Sequence, residues 1–274
     1  MLLQRLLVTL TVGPIVLVAA YFGGWYFFIP IALLMLTAGM EYANMMRVLD
    51  HKVPLWLLLP AIALLLLGAW QPALNLTGVT LFLSLFIGLI YCLTLFERGV
   101  TLDAALNWFA MVAGIMLLGW VGSHFFLLRG LPEDGWRWTV LALMSIWSAD
   151  MSAYAVGSWL AGKVLGRHLL APRLSPKKTV EGYVGGIIIG TAVTIATAYF
   201  LGLSLVLATI AGLLVSIFGL FGDLSISMLK REAGLKDSGK IFPGHGGALD
   251  RSDSLIWSMA IVYYLVIFLG PHLS

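Results

Sequence analysis

Ser227–Asp253 reads SMLKREAGLKDSGKIFPGHGGALDRSD and lies between two long apolar runs. Lys230, Arg231, Lys236, Lys240, His245 and Arg251 are interleaved there with Asp237, Asp250 and Asp253. Pro243 and the glycines Gly234, Gly239, Gly244, Gly246 and Gly247 break the stretch up. Only 11% of the 274 residues are charged and 61% are hydrophobic, whereas a soluble domain holds roughly 25% charged and about 45–50% apolar residues. Charge this concentrated, in a chain this apolar, points to chemistry at a membrane surface. The runs on either side make the chain a polytopic membrane protein.

A spanning helix needs about 20 mostly apolar residues. Nine segments meet that rule: 6–22, 25–46, 54–70, 77–96, 104–128, 137–161, 182–201, 203–229 and 255–271. The expected fold class is therefore an all-α polytopic membrane protein of nine transmembrane helices, one integral membrane domain over 1–274. Residues 1–130 read as scaffold helices and 137–271 as the helices and loops that carry the active site. No cleavable signal peptide is expected, since the first run lacks a small-residue cleavage site. Cys92 lies within an apolar run and offers no disulfide framework.

The basic residues orient the spans. Of 16 lysines and arginines, 14 fall in segments on the N-terminal side of the membrane, and only Arg129 and Arg137 fall on the other. The positive-inside rule then makes the N-terminus and both basic loops cytoplasmic and the C-terminus external. In the first five spans Trp25, Tyr26, Trp56, Trp70 and Trp108 read as interfacial belt residues. Glu41, near the cytoplasmic end of the second, reads as interfacial or bonded to a neighbouring helix in preference to a site residue.

In the sixth span Trp147, Asp150, Tyr154 and Gly157 share one face by their spacing. Asp150 within apolar sequence reads either as a contact between helices or as a site residue, the second being favoured. The loop that follows, GKVLGRHLLAPRLSPKKTVE over Gly162–Glu181, contains Ser175-Pro176, the pattern of a serine N-cap before a proline. On that expectation Lys177 and Lys178 occupy a first helical turn, where free N–H groups and the dipole favour an anion. Gly182, Gly186, Gly190, Thr194 and Ala198 then recur every four residues, as do Ala208, Gly212 and Ser216 in the eighth span. Such stripes bring helices close in lipid, within the subunit or across a homodimer.

Asp223, Ser227 and Lys230 form a polar stripe at the end of the eighth span. It is either a plain ion pair or a magnesium ligand above a lysine. Gly244, Gly246 and Gly247 allow the close backbone approach used in phosphate-binding nests. Asp250 and Asp253 fit a metal or the cap of the last span, and His245 fits acid–base chemistry or a turn.

The arrangement Ser227-x-x-Lys230-Arg231, Lys236-Asp237-x-Gly239, then Pro243-Gly244-His245-Gly246-Gly247-x-x-Asp250-Arg251-x-Asp253 resembles the signature of the phosphatidate cytidylyltransferase (CDP-diacylglycerol synthase) family. The stretch from Leu170 to Gly182 is similar to a second conserved segment of that family. Asp150 with Ala153-Tyr154 resembles a third, with Met151 in place of the usual threonine. The resemblance covers the C-terminal half strongly and the first five spans weakly.

It implies transfer of a cytidylyl group from CTP to phosphatidic acid, giving CDP-diacylglycerol and pyrophosphate. It implies magnesium on Asp223 and Asp250 with Asp253 beside them, and a second cation, for which potassium is the candidate. Asp223, Lys230, Lys236 and Asp250 are then the expected catalytic set. Lys177, Lys178, Ser175, Ser227, Arg231, Lys240, His245, Gly246, Gly247, Arg251 and Asp150 are expected to hold substrate or phosphate. Partners are membrane lipid and nucleotide, with no nucleic acid, and the expected location is a bacterial inner membrane with the site cytoplasmic.

A lipid or polyprenol kinase would use a similar basic face but move a γ-phosphate. A transporter would place its charges near the midplane on broken helices. A CDP-alcohol transferase would need aspartates clustered on successive helical turns, which this sequence lacks.

Overall fold

In hydrocarbon a backbone must satisfy its own hydrogen bonds, and an apolar run does so by coiling. A computed structural model describes residues 13–164, 166–241 and 246–273, and helices occupy most of them. In chain order they are α1 (Gly13–Phe22), α2 (Gly24–Val48), α3 (Leu55–Trp70), α4 (Leu76–Glu97), α5 (Ala104–Arg129), α6 (Gly135–Trp159), α7 (Val180–Leu201), α8 (Leu205–Glu232), α9 (Leu249–Ser252) and α10 (Leu255–Leu273). Among the described residues, seven stretches are long and apolar enough to cross a membrane: α2, α4, α5, α6, α7, α8 and Leu249–His272. The chain is thus an integral membrane protein. Helices α1 and α3 are apolar but shorter. Residues 6–12 of the first expected span, Arg5, and the loop residues Pro243, Gly244 and His245 lie outside the described residues.

The loop after α6 departs from expectation. Ser175–Thr179 is a strand, β2, paired antiparallel with β1 (Leu169–Ala171), so a small hairpin joins the helical architecture. The helix begins only at Val180, capped by Thr179, whose side-chain oxygen accepts from the Gly182 N–H at 3.1 Å. Thr179 is also a competent cap, and its β-branched side chain suits the strand that precedes the helix. Lys177 and Lys178 are therefore strand residues, and the expected anion site in a first helical turn is not formed.

Two compact units divide the chain: Met1–Leu127 with Leu229–Ser252, and Leu128–Met228 with Asp253–Ser274. In the first, Met35 of α2, Leu58, Ile62 and Leu65 of α3, and Met111, Ile115 and Leu118 of α5 are buried together. The α5 backbone turns π-helical over Ile115–Val121. There Gly119 lies so close to α3 that a Cβ would meet Leu65 at 2.6 Å. The Tyr42 hydroxyl ties α2 to α5 by donating to the Ala110 carbonyl at 2.6 Å.

In the second unit α6 and α7 pack backbone to backbone. A Cβ on Gly182 would stand 2.6 Å from the Ala153 carbonyl oxygen, and one on Gly190 would stand 2.9 Å from Ala149 Cα. Gly212 of α8 meets Thr191 and Thr194 of α7 in the same way. Both small-residue stripes thus face neighbouring helices within the chain, the first of the two packing alternatives. Helix α10 docks on α6, where Ser258 donates to the Ala142 carbonyl at 2.9 Å.

Candidate active site

Within the first unit the site is built around Asp250, in the single turn of α9. Its carboxylate is buried, 6% exposed. Oδ1 accepts from Lys230 Nζ at 2.5 Å, and Lys230 stands in the last turns of α8. Oδ2 accepts from the Ser238 N–H at 2.8 Å and the Gly247 N–H at 3.0 Å, and lies 2.9 Å from Ser238 Oγ. One oxygen thus meets an ammonium while the other closes the glycine-rich loop on itself. Gly246, at φ 83°, has the left-handed conformation that glycine adopts at least cost. A Cβ there would also strike Asp250 Oδ2 at 2.5 Å.

A second acid stands behind this loop. Glu41 of α2, 6% exposed, accepts from the backbone N–H groups of Ala248 and Leu249 at 3.0 and 2.9 Å. It also accepts from Ser238 Oγ at 2.8 Å. The sequence offered one signal for it, a lone carboxylate inside an apolar run. For Ser238 it offered none.

The second unit holds Asp223, whose Oδ1 accepts from Ser227 at 3.2 Å and whose Oδ2 pairs with Lys178 of β2. Successive strand residues point to opposite faces. Lys178 is three-quarters buried in this pair, whereas Lys177 is exposed. Asp150 of α6 lies 3.5 Å from Ser254 Oγ, and Asp253 Oδ1 accepts from the Ser254 N–H at 2.7 Å in the turn that enters α10. That contact is to the N–H of the next residue and is not the N2 or N3 contact of a helix cap. Below the hairpin Glu181 accepts from the His168 N–H at 3.1 Å and lies 2.6 Å from its Nδ1, a contact the sequence did not announce.

Lys236, Lys240 and Arg251 are exposed, as is Arg231, which donates to the Leu235 carbonyl at 3.5 Å. Ser175 opens β2 and takes no capping role. His245 lies outside the described residues.

No group of three or more His, Cys, Asp or Glu side chains is arranged to hold a metal ion among the described residues. Magnesium does not require one. It is usually held by one or two carboxylates together with substrate phosphates, and its ligands are hard oxygens. Asp250 in the first unit and Asp223 in the second each offer such an oxygen beside a lysine suited to a phosphate, so each carboxylate by its chemistry suits a magnesium ion that arrives with nucleotide.

The model of the Cytidylyltransferase family matches residues 3–269. A phosphatidate cytidylyltransferase of Synechocystis sp. is 34% identical over 280 residues, 92% of each chain. One of Staphylococcus aureus is 33% identical over 253 residues, 89% of this chain and 91% of its own. One of Staphylococcus haemolyticus is 34% identical over 243 residues, 86% and 87% of the two chains. With relatives matched at this identity along nearly its whole length, the chain belongs to the cytidylyltransferase family.

Proposed function

We propose that the protein transfers the cytidylyl group of CTP to phosphatidic acid, forming CDP-diacylglycerol and releasing pyrophosphate for phospholipid synthesis. A phosphate oxygen of the lipid attacks the α-phosphorus of CTP, and the bond from that phosphorus to the bridging oxygen of the β-phosphate breaks. The electron pair leaves with pyrophosphate. The lipid phosphate, with a second pKa of about 6, is largely dianionic at neutral pH, so no general base is required. The obstacle is bringing two anions together.

The carboxylate–lysine pairs carry this reading. Lys230 beside Asp250 and Lys178 beside Asp223 each place a phosphate-binding cation next to a metal-binding anion. Asp223 and Asp250 are the residues that would hold magnesium, with Asp253 near the end of the same motif. Bound there, magnesium supplies charge neutralisation of the phosphates and of the departing pyrophosphate. Lys178, Lys230 and Lys236 bind and orient phosphate oxygens, while the Gly246–Gly247 backbone admits them closely. Ser175, Lys177, Ser227, Arg231, Lys240, His245, Arg251 and Asp150 complete the proposed substrate contacts, and potassium is the proposed second cation.

The same proposal takes nine spans, a cytoplasmic N-terminus and site, and an external C-terminus, in a bacterial inner membrane. The 14-to-2 division of basic residues and the bacterial relatives support it. Purified protein given phosphatidic acid, magnesium and CTP labelled at the α-phosphorus transfers label into lipid, whereas γ-label leaves in pyrophosphate. Appearance of γ-label in lipid would identify a kinase instead.

A further inference from the structure

Glu41 is a buried acid in an apolar helix, a costly placement unless its oxygens are fully engaged. They are: Oε1 accepts from Ala248, and Oε2 from Leu249 and Ser238. All three partners belong to the loop that carries Asp250, and they come from both of its limbs. The fit is close. A Cβ on Gly239 would stand 2.0 Å from Glu41 Oε1, and one on Gly247 would stand 2.2 Å from Oε2. Only glycine at those two positions lets the limbs close on the carboxylate.

Ser238 links the two acids. Its hydroxyl lies 2.8 Å from Glu41 Oε2 and 2.9 Å from Asp250 Oδ2. A hydroxyl carries one hydrogen, so it donates to one carboxylate at a time. Donation to Glu41 leaves Asp250 Oδ2 held by the backbone N–H groups of Ser238 and Gly247, and Oδ1 turned towards Lys230. Glu41 also fixes the backbone of Ala248 and Leu249, the two residues that precede Asp250. The orientation of Asp250 is therefore set largely from α2, outside the signature motif.

We infer that Glu41 is a positioning residue for the reaction. It fixes Ser238, Ala248 and Leu249 so that Asp250 is presented to the divalent cation and the substrate phosphates. This rests on Asp250 acting in the site as proposed above. A partner one step behind a metal-binding carboxylate is typically worth about 10- to 100-fold in metal affinity or activity. Glu41→Gln keeps the shape but turns an NH2 group towards N–H and O–H donors. Ser238→Ala removes only the shared hydroxyl and serves if Glu41→Gln does not fold.

Two measurements on the purified full chain test this. Hydrogen exchange without metal should quicken in peptides covering Ser238 and Leu249 in Glu41→Gln, with helices α6 and α7 unchanged. The magnesium concentration for half-maximal rate should rise about tenfold or more, with most of the rate recovered at saturating magnesium. Glu41→Asp should restore part of the magnesium affinity, and Ser238→Ala should shift both readouts less and in the same direction. Unchanged loop exchange with an unchanged magnesium requirement would overturn the inference. So would a rate that saturating magnesium cannot recover, which would place Glu41 in direct contact with reacting groups. Failure of the underlying site would look different: Asp250→Asn would keep its turnover, and the positioning role would fall with it.

Discussion

Asp250 meets Lys230 at 2.5 Å through one oxygen and closes its own loop through the other. Breaking a buried pair by neutralising one partner leaves the other charge uncompensated. Asp250→Asn keeps the size of the side chain but replaces an acceptor of Lys230 and a metal-binding charge. Asp223→Asn does the same in the second unit. Each variant is expected to lose at least about 10²-fold in kcat, the scale for removing one preorganised charged contact. Asp253→Asn should lose less, since its Oδ1 is engaged by Ser254. Turnover assays on variants that elute as folded protein check this, and near-normal rates for Asp223→Asn or Asp250→Asn would exclude the metal assignment.

The two lysines of the hairpin should behave differently. Lys178 pairs with Asp223 while its neighbour Lys177 is exposed on the opposite face of β2. A hydrogen bond to a charged group contributes about 1.5–3 kcal/mol, which is roughly tenfold or more in an equilibrium constant. Lys178→Ala is expected to raise KM for CTP or phosphatidic acid by about that factor, and Lys177→Ala to change either by much less. Steady-state kinetics with each substrate varied separately will show the contrast. Equal effects would mean that the strand does not sort the two side chains.

The apolar segments were legible because hydrocarbon leaves a backbone few choices, and each expected span finds a helix over its described residues. The polar stretches were less so. Ser175-Pro176 carries a helix-start pattern, yet Thr179 four residues on satisfies the same requirement and the strand register of β1 and β2 prevails. Local pattern does not rank two competent caps. Asp223, Lys230 and Asp250 stood out as charges at the ends of apolar runs, but their pairing depends on which strand and loop meet α8. Glu41 read from the sequence as interfacial or bonded to a neighbouring helix, and its actual partner was out of view because Ser238 lies 197 residues away in the chain.

Helix α3 decides the topology. Its 16 residues extend about 24 Å at 1.5 Å per residue, short of a hydrocarbon core of about 30 Å. A short span is accommodated by local thinning of the bilayer or by flanking residues that reach the interface, at modest cost per ångström. Trp56 near one end is exposed, and Trp70 at the other stacks on Phe28, with ring centres 4.5 Å apart. Aromatic residues at both ends fit a helix anchored at two interfaces. If α3 did not cross, every later loop would change sides, and the 14-to-2 division of basic residues would be lost. In a Cys92→Ser background, cysteines at the exposed positions Lys52 and Ala73 flank α3, and Lys163 and Glu133 flank α6. Lys52→Cys and Lys163→Cys are expected to react with an impermeant thiol reagent from the cytoplasmic side, and Ala73→Cys and Glu133→Cys from the other. Labelling of Lys52→Cys and Ala73→Cys from the same side would remove α3 from the spans and overturn the nine-span topology.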